Sequence, residues 1–299
     1  MESAGVSRGV LLSAVPSLSI RNIVVATDFS PASEMALGYA CAIAGRNSSR
    51  LTLVHAVTSS EKAEPEAGVP AESMAAIEQK LREQAATCRG LECHTRPVKG
   101  TTLEVVDQIL ALEHVDLIVV ASHGTRGWRR FLLGEGAAQI FCHVKCPVLV
   151  IGPEVVNKEG NWKPKRVLLA TDLESDEGAT IEHAMAWAEG HHAELALLHV
   201  TPPAAAPFPE DTEVILRPYF QSRLRKLIPS WAGLGHPHFW IEFGSDPVTE
   251  TVRVINEKEI DLVVLSVHPR EPWTTHFRHD AQRMVAMAAC PVLVVQRKF

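Results

Sequence analysis

The 299-residue sequence predicts an α/β fold built from two tandem copies of one unit, each a parallel sheet with helices on both faces. Two observations lead there. Short apolar, β-branched runs alternate with longer segments of helical spacing along the whole chain, the pattern that generates parallel sheets. Four landmarks also recur at one fixed offset of 144 residues. Asn22-Ile-Val-Val-Ala-Thr-Asp28 returns as Arg166-Val-Leu-Leu-Ala-Thr-Asp172, and Leu51-Thr-Leu-Val-His-Ala56 as Leu195-Ala-Leu-Leu-His-Val200. Gly100 and Gly244 each follow a strand-like run, and Cys146-Pro-Val-Leu-Val150 returns as Cys290-Pro-Val-Leu-Val294. Chance similarity does not hold one offset across four landmarks, so the chain is an internal duplication. The expected organisation is a tail over 1–19, a first domain over 20–152, a linker over 153–164 and a second domain over 165–299.

In the first copy, residues 23–26 form a short β-branched strand with Asp28 just past its C-terminal end. Ser30-Pro31 supplies a helix N-cap followed by proline at the first helical position. Apolar residues from Met35 to Ala44 keep helical spacing, and Gly45 is expected to stop that helix. Strand two covers 51–57, a polar loop with two prolines covers 59–70, and a helix rich in Glu, Gln, Lys and Ala covers 74–88. Strand three covers 92–98, where Pro97 points to a sheet edge. A helix over 102–113, strand four over 116–121, a helix over 136–144 and strand five over 147–151 complete the copy. The second copy repeats the series. Its strands are at 167–170, 194–200, 238–243, 261–266 and 292–296, with helices at 179–189, within 202–229, at 248–257 and at 281–288.

Composition narrows the function. Hydrophobic residues make up 46% and charged residues 21%, a globular balance. The net charge of −6 lacks the basic footprint of a general nucleic-acid binder. No apolar run approaches the ~18 residues of a membrane span, and the weak charged and apolar regions at the N-terminus do not make a signal peptide. Five of the six cysteines lie in the first half, which is not a symmetric disulfide framework; scattered buried thiols of a cytoplasmic protein are the simplest reading.

The stretch from 116 to 136 is the expected ligand site. A buried strand empties through a loop holding Gly124, Gly127, Arg126, Arg129, Arg130 and Trp128, and ends at Gly134-Glu135-Gly136, where a helix can begin. Ligands of α/β folds, phosphates often among them, bind where a strand passes through such a loop into a helix N-terminus.

The Thr-Asp after strand one, the Leu-Val-His or Leu-Leu-His of strand two, the Val-Val-x-Ser-His-Gly of strand four and the Cys-Pro-Val-Leu-Val of strand five together resemble the universal stress protein family. The resemblance spans both halves. It implies an open five-stranded parallel sheet of order 3-2-1-4-5 in each, of the adenine-nucleotide-alpha-hydrolase-like type, with fifth strands pairing two domains and tandem chains pairing again as homodimers. One branch of the family binds ATP through Gly-x2-Gly-x9-Gly-(Ser/Thr) after strand four. This sequence aligns there as Ala121-x2-Gly124-x9-Gly134-Glu135, with the spacing kept and two positions changed. Glu135 in place of a hydroxyl repels phosphate by roughly 1–4 kcal/mol per charge pair at ~4 Å, depending on the effective dielectric. A Mg²⁺ ion between them, or the three arginines acting as phosphate contacts, would offset that. By position, the resemblance assigns Asp28 to the nucleoside, Ala26, Ala56 and Val120 to the surroundings of the base, and Ala121, His123, Gly124, Gly134, Glu135 and Gly136 to the rest of the pocket. The second copy has lost the loop glycines and gained Pro269 and Pro272. Its degenerate counterpart comprises Asp172, Val200, Ser266, His268, His279 and Asp280, and no phosphate cradle is expected there.

Sharper chemistry finds little support. Neither Asp28 nor Asp172 has a partner fixed beside it for general-base work. His55 and His199 fit structural strand histidines, and Gly190-His191-His192 fits a helix end. Cys142-His143-x2-Cys146 lacks the second ligand cluster of a structural zinc site, so no metal is expected. His279-Asp280 lacks a nucleophile. The favoured reading is a non-enzymatic, cytoplasmic stress-response or regulatory module with an adenine-nucleotide pocket in the first copy only. A nucleotide-free scaffold acting through dimer surfaces and, more weakly, a slow ATPase are the alternatives. No membrane or nucleic-acid partner is expected.

Overall fold

A computed structural model describes residues 18–57, 74–122, 140, 143–156, 161–173, 177–201, 212–230, 232, 235–267 and 276–297. In the first half, β1 (Asn22–Ala26), α1 (Pro31–Asn47), β2 (Arg50–Val57), α2 (Met74–Ala85), β3 (Cys93–Lys99), α3 (Thr102–Leu112), β4 (Leu117–Ala121) and β5 (Val148–Ile151) follow in order. The second half repeats them as β6 (Arg166–Ala170), α4 (Gly178–His191), β7 (Glu194–Thr201), α5 (Thr212–Leu227), β8 (His238–Phe243), α6 (Pro247–Glu257), β9 (Leu262–Val267), α7 (His276–Met287) and β10 (Val292–Gln296). Most of the helix expected over 136–144 and the loop expected over 59–70 lie outside the described residues.

Each half has its strands in the order 3-2-1-4-5, all parallel. The halves do not remain separate sheets. β5 and β10 pair antiparallel, Val150 opposite Val292 and Val148 opposite Val294, giving one ten-stranded sheet ordered β3-β2-β1-β4-β5-β10-β9-β6-β7-β8. The central strands read as continuous apolar runs because both faces are covered. Ile23 and Val25 point to the face covered by α1, α2, α4 and α5, while Val24 points to the face covered by α3, α6 and α7. β3 lies at one edge, as Pro97 suggested, and β8 at the other.

The repeat extends into details that no hydrophobic pattern announces. Asp116 Oδ2 accepts the backbone N–H groups of Arg21 and Asn22, and Asp261 Oδ2 those of Lys165 and Arg166, so a carboxylate before strand four ties down the start of strand one in both copies. Ser30 caps α1 through Ser33 N, as its position before Pro31 predicts. Gly45 does not end α1. The helix runs on to Asn47 and closes on Ser48, which takes the left-handed conformation at φ 53°. The equivalent His192 closes α4 at φ 53°. Gly45 sits one turn too early to serve, since the capping N–H must reach back to the Ala44 carbonyl. Gly100 has φ 133°, which a side chain would strain, and a Cβ on Gly152 would stand 2.1 Å from the Val285 carbonyl of the other half. The connection between the halves is clamped at Trp162, which is buried with ring centroids 5.2 Å from Tyr39 on α1 and 6.0 Å from Trp187 on α4.

Candidate functional site

In each half the strand order reverses between strands one and four, and the carboxyl edge beside such a reversal is the position where open α/β sheets bind ligands. The turn after β1 is built from its own side chains. Thr27 Oγ1 accepts the Phe29 N–H at 3.1 Å and donates to Gln84 Oε1 of α2 at 2.9 Å. Phe29 is thereby held at φ 62°, an uncommon conformation for a bulky residue. Asp28 Oδ1 accepts the Ser30 N–H at 3.1 Å. His55 Nδ1–H donates to the Thr27 carbonyl at 2.8 Å, and its ring rests against Phe29 with centroids 4.5 Å apart. Lys80 Nζ lies over the Phe29 ring, 5.5 Å from its centroid.

The second half reproduces the turn. Leu173 has φ 60°, its N–H bonds Thr171 Oγ1 at 2.9 Å, and His199 Nδ1–H donates to the Thr171 carbonyl at 3.0 Å. Burial holds the His199 pKa below the usual histidine value, so this ring stays neutral. Both strand histidines are thus structural posts for the turn that presents the aspartate, as their matching positions suggested.

The two halves part at the aspartate. Arg297, directly after β10, reaches across the carboxyl edge. Its Nη2 lies 3.0 and 2.9 Å from the two Asp172 oxygens and 2.8 Å from Glu177 Oε1, while Nε donates to Ser266 Oγ at 2.9 Å. The Arg297 side chain is only 4% exposed, that of Glu177 1% and that of Asp172 20%. Glu177 Oε1 also accepts from Thr171 Oγ1 at 3.0 Å, and Glu177 Oε2 is buried without a hydrogen-bond partner among the described residues. Burial first, opposed by Arg297 and reinforced by Asp172, raises the Glu177 pKa. The space beside Asp172 is therefore occupied by the protein's own guanidinium. The first half cannot copy this: at the equivalent offset Arg297 is replaced by Pro153, and Glu177 by Ser33.

Ala26, Ala56 and Val120, expected around a base, share one sheet face at the carboxyl ends of β1, β2 and β4, with Asp28 just beyond; Ala121 packs on the opposite face. In the second half Val200 packs on the corresponding face, and Ser266 and Asp172 meet through Arg297. His279 and Asp280 lie on α7, where Asp280 pairs with Arg283 at 3.5 Å and Arg283 in turn grips Asp246. His123, Gly124, Arg126, Trp128, Arg129, Arg130, Gly134, Glu135, Gly136, His268 and Trp273 lie outside the described residues. Sequence reasoning missed Arg297 and Glu177. Their signal was present: two positions where an otherwise faithful repeat changes into charges of opposite sign.

Other features of the molecule do not add to this site. A cavity of about 370 Å³ opens at the opposite, amino-terminal ends of β4 and β5, beside Asp116, Lys145, Cys146 and His183. Asp116 there already serves the backbone of β1, and burial pushes the Cys146 thiol up to about 12. Among the described residues no group of three His, Cys, Asp or Glu side chains is arranged to hold a metal ion, and no helix is long and apolar enough to cross a membrane.

The fold and its edge define a class: a tandem α/β protein of two doubly wound units joined through their last strands, with Arg297 closed over the carboxyl edge of the second unit. A model of the universal stress protein family matches residues 19–152 and again 163–296, and the chain belongs to that family. A putative universal stress protein of Staphylococcus haemolyticus is 30% identical over 149 residues, covering 48% of this chain and 90% of its own length, one repeat's worth. The crystal structure of a universal stress protein from Archaeoglobus fulgidus matches 93% of this chain and 98% of its own, with 17% identity and a TM-score of 0.67. The crystal structure of a putative universal stress protein from Pseudomonas aeruginosa matches 93% of this chain and 94% of its own, with 18% identity and a TM-score of 0.64. These two likenesses concern the fold.

Proposed function

We propose that this chain is a regulatory universal stress protein with a single adenine-nucleotide site, in the first half, and a second half whose equivalent site is filled by Arg297. The reading is supported chiefly by the contrast between two otherwise matching turns. The same Thr-Asp turn, with the same left-handed third residue and the same histidine post, is built in both halves, and in the second the buried guanidinium of Arg297 occupies the aspartate. In the first half, Pro153 offers no donor for that purpose, and Ala26 and Ala56 present small side chains at the carboxyl ends of β1 and β2. The nucleotide's phosphates would meet the loop from 121 to 136, where Glu135 disfavours an unshielded polyphosphate and Mg²⁺ would offset it. The tandem chain is proposed to pair with a second copy as well, a point that sedimentation velocity decides.

Titration calorimetry with Mg-ATP tests the site. One nucleotide should bind per chain, Asp28→Ala should weaken binding at least tenfold, and Asp172→Ala should leave it unchanged. Two bound nucleotides, or loss of binding in Asp172→Ala with Asp28→Ala unaffected, would overturn the assignment. The same protein, denatured after purification and its released small molecules identified by mass spectrometry, should yield an adenine nucleotide at near one per chain.

A further inference from the structure

Three of the six cysteines converge beside the turn that follows the first half's α2. Cys41 lies on α1, Cys88 in the turn after α2, and Cys93 opens β3. Cys41 Sγ stands 3.0 Å from Cys88 Sγ although the two are 47 residues apart. Both are free thiols in this structure, as is Cys93, with Cys88 buried at 5% exposure and the other two half-buried. A sulfur–sulfur bond is about 2.0 Å long, so closure of the Cys41–Cys88 pair needs a movement of about 1 Å. The second half has no such group. At the repeat offset Cys41, Cys88 and Cys93 correspond to Met185, Ala232 and Pro237. The trio is therefore peculiar to the first copy, and the common fold does not need it.

We propose that Cys41 and Cys88 form a dithiol site oxidised by hydrogen peroxide to an intramolecular disulfide, with Cys93 a neighbouring donor to the Cys88 sulfur. Cys88 is the nucleophile. Hydrogen bonds from Cys41 and Cys93 pull the Cys88 thiol below the usual thiol range, while the same contacts and burial push the other two up. Thiolate, not thiol, attacks peroxide. The Cys88 sulfur displaces hydroxide from the O–O bond and becomes a sulfenic acid. The hydroxide takes up the proton that Cys88 released, giving the first water. The Cys41 sulfur then attacks the Cys88 sulfur, the S–O bond breaks, and the departing hydroxide leaves with the Cys41 proton as the second water. Two thiols lose two electrons and one peroxide gains them. Peroxide is little larger than water, which suits a nucleophile buried between two half-exposed neighbours. The disulfide would fasten the turn after α2 to α1.

The test uses the full chain as purified and reduced, treated with equimolar hydrogen peroxide, blocked with an alkylating reagent and mapped by peptide mass spectrometry. The expected result is a Cys41–Cys88 cross-linked peptide, two thiols lost per chain, and both restored by dithiothreitol. Cys93→Ala should still form the cross-link, at least tenfold more slowly at pH 6, where its contribution to keeping Cys88 ionised matters most. A disulfide joining any other pair, Cys88–Cys93 included, would overturn the proposal, as would thiols consumed no faster than those of the unfolded chain. The cross-link is read in the unmutated protein, so an unstable cysteine variant cannot obscure the answer.

Discussion

Replacement of Arg297 by methionine tests whether the second half is held shut by charge. Met keeps much of the length and apolar volume of the side chain and removes the guanidinium. In the folded protein one positive group faces two carboxylates, at 2.8 to 3.0 Å, and both Arg297 and Glu177 are shielded from water. Removing one partner of a buried ion pair costs about 3–5 kcal/mol, because the remaining charge is left uncompensated. Asp172 retains some solvent, so the lower end applies: about 3 kcal/mol at pH 7, or roughly 6–12 °C in the melting temperature of a domain this size. The loss has a pH signature. The Glu177 pKa is already raised by burial with Arg297 opposing, and without the arginine it rises further. The folded variant then retains a proton that the unfolded chain releases above its ordinary carboxylate pKa, so stability falls as pH rises through that window. Calorimetric melting of Arg297→Met should therefore show a larger deficit at pH 7 than at pH 5. Adding Glu177→Gln should recover about half of the loss at pH 7 by removing the stranded charge. A deficit below about 1 kcal/mol at pH 7, or one equal at both pH values, would refute the electrostatic account of this closure.

Glu135→Ser should tighten ATP binding by about tenfold when Mg²⁺ is withheld and less when it is present, since the ion screens the carboxylate; weaker binding in titrations of that variant would contradict the repulsion argument. Asp116→Ala should cost about 2–3 kcal/mol in urea unfolding, because two backbone N–H groups at the start of β1 lose their charged acceptor, and Asp116→Asn should retain part of it. Ser48→Gly should stabilise the protein by about 0.5–1 kcal/mol, read as a higher urea midpoint, because the left-handed cap at φ 53° suits glycine better than serine.

What the linear sequence determined by itself was whatever depends on neighbours within a few residues or on exact repetition. Apolar runs of strand length, the Ser30-Pro31 cap and Pro97 at an edge are local, and each stands where the pattern put it. The constant offset of 144 residues established the duplication, and the family motifs carried the strand order of each half. The error at Gly45 is of the same local kind: glycine is the usual left-handed cap, but cap position depends on where the last carbonyl falls, and Ser48 could accept the strain. The candidate site was legible only as a position, through Asp28 and the small residues of β1 and β2. Tertiary structure alone decided that the two sheets fuse through β5 and β10 and that Trp162 is buried between Tyr39 and Trp187. It also decided that Arg297 closes on Asp172 from 125 residues away and that three scattered cysteines become neighbours. The physical reason is common to all of these. A charge or a thiol chooses its partner by desolvation and distance in the folded chain, and neither quantity exists along a sequence until the sheet has brought its edges together.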